Sequence, residues 1–242
     1  DREAVRTAVK EYAIDVIVNC AAYTNVDGCE TNQLDAFKVN AMGARNLARA
    51  CELIGAKLVH VSTDYVFSGD GEVAFETDSP KVPCNFYGKS KLEGENAVIE
   101  NCKKHFIVRI SWVFGENGKN FVKTMLRLSE TNDTLRVVGD QFGTPTSTRE
   151  LAKAIAYLLP TDNYGLFHAT CEGSTNWADF TRKIFEMTGK STVVNSITTE
   201  EYGAPAPRPA YSVLENYMLK LTTDFSFAQW EDALDVYLKE LL

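Results

Sequence analysis

Apolar positions set the reading of the chain. Ala4, Val5, Ala8, Val9 and Tyr12 recur at the spacing of one helix face, which predicts a helix over 2–12. The nearly unbroken run Asp15-Val-Ile-Val-Asn-Cys20 predicts a buried parallel strand. Helical spacing returns over 34–53 and stops at Gly55, and an apolar stretch over 57–67 predicts a second strand, followed by the turn Ser68-Gly69-Asp70-Gly71. A helix over 88–101 and a strand over 105–114 continue the series. Strand, helix, strand, helix, strand, with helices of a dozen residues or more, is the grammar of an α/β doubly wound parallel sheet, Rossmann-like in form.

Beyond Gly115 the elements shorten. Helices are expected over 120–129, 148–159 and 177–188, and strands over 135–138, 166–170 and near Val193. The segment 202–209, YGAPAPRP, is too rich in proline to continue a helix or a central strand. Two last helices are expected over 212–219 and 227–242. No internal repeat and no low-complexity segment interrupts the pattern.

Composition narrows the class of function. Of the 242 residues 45% are hydrophobic, enough for one large or two small cores. Lys plus Arg number 25 against 33 Asp plus Glu, a formal charge of −8, which argues against a partner made of nucleic acid. The six cysteines stand apart with no C-x-x-C spacing, so reduced thiols and a cytoplasmic location are expected, with no metal site. No apolar run is long enough to span a membrane, and none is expected as a partner. The chain starts at Asp1 and carries no G-x-x-G-x-x-G motif.

In open parallel sheets, ligands lie beyond the carboxyl ends of the strands. Here those ends read Cys20-Ala-Ala-Tyr-Thr, Ser62-Thr63-Asp64-Tyr65 and Ser111-Trp112. Between the second and third strands comes Tyr87-Gly-Lys-Ser-Lys91, the one Y-x-x-x-K in the chain. Positions i and i+4 share a helix face, so the phenol and the ammonium point the same way. A neighbouring ammonium is expected to lower the phenol pKa toward the working pH, as suits a proton donor to a developing alkoxide. Thr63, at the end of the adjacent strand, is placed to hydrogen-bond the same substrate oxygen.

Each of these residues also has an ordinary reading: an exposed helix pair for Tyr87 and Lys91, a core aromatic for Trp112, a surface charge for Arg208, an inward-bonded amide for Asn40. His60, His105 and His168 are isolated beside apolar strands and read as core or edge residues rather than metal ligands. The acidic stretch 231–240 reads as the solvated face of a final helix.

Thr63, Tyr87 and Lys91 resemble the catalytic trio of the extended short-chain dehydrogenases/reductases. The runs VNCAAYTNVDGCE, VSTDYVFSG, YGKSKLEGE, RISWVFG, NFVKTM, VVGDQFGTPTS and RPAYSVLENYM resemble, within that group, the dTDP-4-dehydrorhamnose reductase family, from Asp1 to the last helix.

The resemblance implies reduction at C4 of a dTDP-linked 4-keto-6-deoxysugar by NADH or NADPH, in dTDP-rhamnose biosynthesis. Tyr87 would donate the proton, Lys91 would hold the nicotinamide ribose and Thr63 would orient the keto oxygen. Ala21, Ala22, Tyr23, Asn40 and Ser62 would line the cofactor with Tyr87 and Lys91. Val26, Asp64, Tyr65, Trp112, Asn120 and Arg208 would meet the substrate.

A homodimer is a further implication, with Mg2+ allowed near its interface but signalled by no ligand cluster here. The division expected is a partial dinucleotide-binding domain over 1–114 and 139–171, and a substrate-binding domain over 115–138 and 172–242. The missing glycine motif places the start of the chain inside the helix before the family's fourth strand, which leaves 15–20 as an apolar sheet edge, weakens dinucleotide binding and hides any preference between NAD and NADP. Two alternatives share the resemblance: a non-catalytic subunit like the regulatory subunit of methionine adenosyltransferase, and a nucleotide-sugar epimerase or dehydratase. The intact trio favours catalysis over the first, and GDQFGTPTS and RPAYSVLENYM favour the reductase over the second.

Overall fold

The computed structural model describes residues 2–242. In chain order the elements are α1 (Arg2–Glu11), β1 (Val16–Asn19), α2 (Val26–Thr31), α3 (Gln33–Phe37), a π-helical turn (Lys38–Gly43), α4 (Ala44–Ile54), β2 (Lys57–Thr63), a 3-10 turn (Asp64–Val66), α5 (Phe86–Asn101) and β3 (His105–Ile110). Next come β4 (Val113–Phe114), α6 (Phe121–Ser129), β5 (Thr134–Val138), β6 (Phe142–Gly143), β7 (Thr146–Ser147), α7 (Thr148–Leu158), β8 (Gly165–His168) and β9 (Thr175–Asn176). The chain closes with α8 (Trp177–Thr188), β10 (Val193–Ile197), α9 (Thr199–Tyr202), α10 (Tyr217–Thr222) and α11 (Trp230–Leu241).

A four-stranded parallel sheet in the order β1-β2-β3-β8 forms the centre. Leu58, Val59, Phe106, Ile107 and Val108 fill its inner strands on both faces, as the continuous apolar runs require, and Phe167 on β8 is buried beside them. Among the described residues β1 pairs only with β2, and Val18 on it is exposed. A separate parallel pair, β5 with β10, lies outside this sheet. The larger core continues from β3 and β8 into α6, α7, α8 and α11 through Phe114, Phe180, Trp230 and Leu234.

Several expected elements are cut by specific side chains. The strand expected over 57–67 ends at Thr63, because its hydroxyl accepts the Tyr65 N–H (3.2 Å) and starts the 3-10 turn. The strand expected over 105–114 breaks in two at Trp112, whose φ of 47° turns the chain so that Val113 and Phe114 pair with β7 instead of continuing β3. The helix expected over 34–53 is interrupted by the π-helical turn around Asn40. The helix expected over 212–219 forms later, over α10, because Tyr211 and Leu214 are held in bridges to Phe142 and Phe75. The last helix starts at Trp230, and α2 and α9 are short helices the periodicity does not show.

Close approach brings α5 onto the end of β2. A Cβ on Gly88 would sit 2.0 Å from the Tyr65 carbonyl oxygen, and one on Gly94 2.2 Å from that of Asn40. Asn85 caps the helix by accepting the Gly88 N–H at 2.8 Å. All six cysteines are free. Among the described residues no helix is long and apolar enough to cross a membrane.

Candidate active site

Thr63, Tyr87 and Lys91 line one cavity of about 260 Å³, with Cys20 and Ala22 from the end of β1 and Trp112 from beyond β3. The Lys91 ammonium is almost fully buried and donates to the Val61 carbonyl at 2.6 Å. Burial pulls its pKa down to about 8, against the attraction of Glu95 and Cys20. Burial pushes the Tyr87 phenol up, with the Thr63 hydroxyl opposing and Asp64 adding to the rise. The expectation that the ammonium lowers the phenol is therefore corrected: desolvation of the phenolate, with Asp64 and Cys29 adding to it, outweighs the Thr63 hydroxyl that favours it. A phenol so held stays protonated at neutral pH, the state a proton donor needs.

Beside the phenol, Asp64 is buried. Its Oδ1 accepts from the Thr63 hydroxyl (2.8 Å), while Oδ2 has no hydrogen-bond partner. Burial raises this carboxyl to about 6, although the Ser212 and Thr63 hydroxyls lower it. Tyr65 meets Tyr87 edge to face, with ring centres 5.7 Å apart.

Other expected site residues serve the frame. Asn40 accepts the Tyr23 N–H (2.8 Å) and donates to the Tyr23 carbonyl (3.2 Å) and the Ser90 hydroxyl (2.9 Å), which pins the loop after β1 against α5. Ser62 borders the cavity, but its hydroxyl is committed to Glu95 at 2.5 Å. Ala21 is exposed on the same loop, where its N–H is held by Asn19 at 3.2 Å.

A second cavity, of about 310 Å³, is bounded by Tyr65, Phe121, Arg136, Gln141, Trp177 and Arg208. A third space of about 330 Å³ touches Val26. It shares Thr63, Asp64 and Trp112 with the first cavity and Tyr65, Phe121 and Trp177 with the second, so the two adjoin. Trp112 stacks on Trp177 with centres 3.5 Å apart and planes 7° apart. Gly143 makes room for this pair, since a Cβ there would lie 2.4 Å from the Trp112 ring.

Arg208 donates to Asp27 at 2.9 Å, and its Nη1 is buried without a partner. Asp27 also accepts the Ala206 N–H (3.1 Å), and Asn85 donates to the Pro207 carbonyl (2.9 Å), so the proline-rich segment is tied to α2 and α5. Asn120 stands apart from the cavities: it caps α6 through Lys123 N and donates to Gly115 O (2.8 Å) and the Tyr237 hydroxyl (3.2 Å). Sequence reasoning missed Trp177, Phe121 and Gln141. Asn-Trp at a helix start was the available signal for Trp177, whereas Gln141 is identified only by the Trp177 Nε1 proton it accepts at 3.2 Å.

The first cavity suits the ribose and nicotinamide of a dinucleotide: a buried ammonium, a phenol and small side chains meet beyond the carboxyl ends of β1 and β2. Among the described residues no glycine-rich turn offers a pyrophosphate cradle, and no group of three or more His, Cys, Asp or Glu could hold a metal.

Comparison with known proteins places this geometry. The family described as RmlD substrate binding domain matches residues 1–242. The spore coat polysaccharide biosynthesis protein SpsK of Bacillus subtilis is 43% identical over 99% of this chain and 84% of its own length. A crystal structure of a dTDP-4-dehydrorhamnose reductase from Clostridium acetobutylicum superposes with a TM-score of 0.97 at 45% identity, covering 100% of this chain and 86% of that one. The reductase of that name from Bacillus anthracis, in complex with NADP, gives 0.97 at 42% identity over 99% and 85%. The Rossmann-like α/β sheet, the adjoining cavities and these matches over nearly the whole of this chain agree, and the chain belongs to the RmlD substrate-binding-domain family.

Proposed function

We propose that this chain reduces the C4 keto group of dTDP-4-dehydrorhamnose to the alcohol of dTDP-rhamnose at the expense of NAD(P)H. The observation that carries the reading is the meeting of Thr63, Tyr87 and Lys91 on one cavity that opens beside an aromatic cleft. The names of the related reductases, one of them in complex with NADP, support the same activity.

Ala22 and Lys91 would hold NAD(P)H in the first cavity, where it would supply the hydride to C4. Turned from Asp64 Oδ1 toward the substrate, the Thr63 hydroxyl orients the keto oxygen, and Tyr87 transfers its phenolic proton to that oxygen as negative charge develops, which leaves a phenolate. Lys91 stabilises this phenolate electrostatically and holds the ribose. The apolar wall of Trp112 and Val113 keeps water from the reacting carbon. In the adjoining cleft the stacked Trp112 and Trp177 bound the sugar and base, and Arg208, which lines that cleft with Nη1 unpaired, would meet the diphosphate.

The test is NAD(P)H absorbance with dTDP-4-dehydrorhamnose and either the wild-type chain or Tyr87→Phe. Turnover by the wild type and its loss in the variant are expected. Equal rates would remove Tyr87 from the mechanism, and a wild type that binds the sugar nucleotide without oxidising NAD(P)H would overturn the activity.

A further inference from the structure

Behind the cavity, three buried charges line up across α5 and the sheet. Tyr87, Lys91 and Glu95 follow at intervals of four residues on one face of α5, and Lys91, Glu95 and Arg109 are each at most 2% exposed. Glu95 has both oxygens engaged. Its Oε1 accepts from the Ser62 hydroxyl (2.5 Å) and Arg109 Nε (2.9 Å), and its Oε2 accepts from Arg109 Nη2 (2.7 Å). Arg109 cannot swing aside: Nη1 reaches Thr77 O (3.2 Å) and His168 Nε2 (3.3 Å), and the guanidinium lies over the Phe67 ring.

We propose that Glu95, fixed by Arg109 and Ser62, is a positioning residue that keeps the Lys91 ammonium charged beside Tyr87. This inference rests on the reductase reading for its meaning, though its geometry does not depend on the substrate.

A buried ion pair is a poor device for stability alone, because well-packed apolar residues often replace one at no loss. Here a second buried cation, Lys91, lies one helical turn before Glu95 on the same face of α5, where the carboxylate attracts it. The groups facing Lys91 are Cys20 beyond β1, His60 on β2, Tyr87 and Glu95 on α5, and Arg109 on β3 behind Glu95. His60 is kept neutral, its pKa pulled down to about 3 by burial and by Lys91 itself. The Glu95 carboxylate opposes the desolvation of Lys91, with Cys20 adding to it.

One anion between two cations makes the prediction two-signed. Glu95→Gln removes the attraction and leaves Arg109 as an added repulsion, so Lys91 loses its proton at lower pH. Arg109→Gln frees the carboxylate to favour Lys91 alone, so Lys91 holds its proton to higher pH. The readouts are the basic limb of the kcat/KM profile and the Nζ titration of Lys91 by ¹⁵N NMR, which needs no substrate.

Glu95→Gln is expected to move both downward by about one pH unit, and Arg109→Gln to move them upward by about half a unit. A double variant, Glu95→Gln with Arg109→Met, removes the buried guanidinium that the single Gln leaves unpaired and is expected to shift the Lys91 titration downward by less than the single Gln. Midpoints that stay with the wild type in the folded variants, or that move the same way in both single variants, would overturn the inference. A purely structural pair would lower activity or the folded fraction without moving a midpoint. Absence of reductase turnover with the NMR shifts intact would sink the functional reading while leaving the role of Glu95 standing.

Discussion

The two walls of the cleft are made of different materials. On the β2–α5 wall Asn40, Ser62, Thr63, Asp64, Ser90, Lys91, Glu95 and Arg109 are all buried and polar. On the facing wall Trp112, Trp177 and Phe121 pack ring against ring, with Phe180 and Trp230 behind them. Hydrogen bonds fix direction, and stacking mainly supplies area. A proton donor must be aimed to a fraction of an ångström, so the first wall bears the desolvation of three charged side chains to hold it. Recognition of a flat ring tolerates a looser fit, and aromatic stacking suffices. Changes on the first wall are therefore expected to act on kcat and pH, and changes on the second on KM.

The sharpest break is Tyr87→Phe. Loss of a positioned general acid is expected to lower kcat by roughly 10²–10⁴-fold with KM little changed. Next is Trp177→Ala, which strips the support from Trp112. Base-to-aromatic stacking is worth about 1–3 kcal/mol, so KM should rise roughly tenfold while kcat stays within about threefold, both from steady-state kinetics. If kcat fell as far as KM rose, the aromatic wall would share in the chemistry and the division would fail. A smaller effect is expected from Asp27→Asn, which weakens the hold on Arg208 and Ala206 N. With a charge-assisted bond reduced to a neutral one, KM should rise about fivefold at low salt and less at high salt.

The same contrast explains what the sequence disclosed. The inner strands were legible because burial on both faces leaves continuous apolar runs such as 57–63 and 105–110. Thr63, Tyr87 and Lys91 were legible because each sits at a strand end or helix start, where local spacing fixes position. Trp112 was singled out, but not its left-handed φ or its partner, since stacking on Trp177 joins residues 65 positions apart. For Asn120, expected to face substrate, the structure adds a capping role the sequence does not distinguish, since an N-capping amide and a ligand-binding amide look alike until the Lys123 N–H is seen on it. Glu95 and Arg109 are not singled out by the sequence, because only the packing of α5 across β2 and β3 brings them together.

The mildest test concerns stability, and it separates the walls without any substrate. His60 and His168 are both buried, with pKa values lowered to about 3 from 6.5, chiefly by desolvation and further by Lys91 and Arg109 respectively. The unfolded chain takes up these protons near pH 6.5 and the folded chain only near 3, so the stability they contribute is complete above 6.5 and is lost as pH falls toward 3. Asp64, raised from 3.8 to about 6, works the other way: its contribution is complete below 3.8 and fades as pH rises through 6. Two histidines against one carboxyl leave a net loss on acidification, and the urea midpoint is expected to fall between pH 6.5 and 4.5. His60→Gln removes one of the two acid-sensitive groups and should make that fall shallower, whereas Trp177→Ala should lower the midpoint equally at every pH in the window. An unchanged slope in His60→Gln would mean that the polar wall opens to water before it titrates, and that its buried charges are less tightly enclosed than their hydrogen bonds imply.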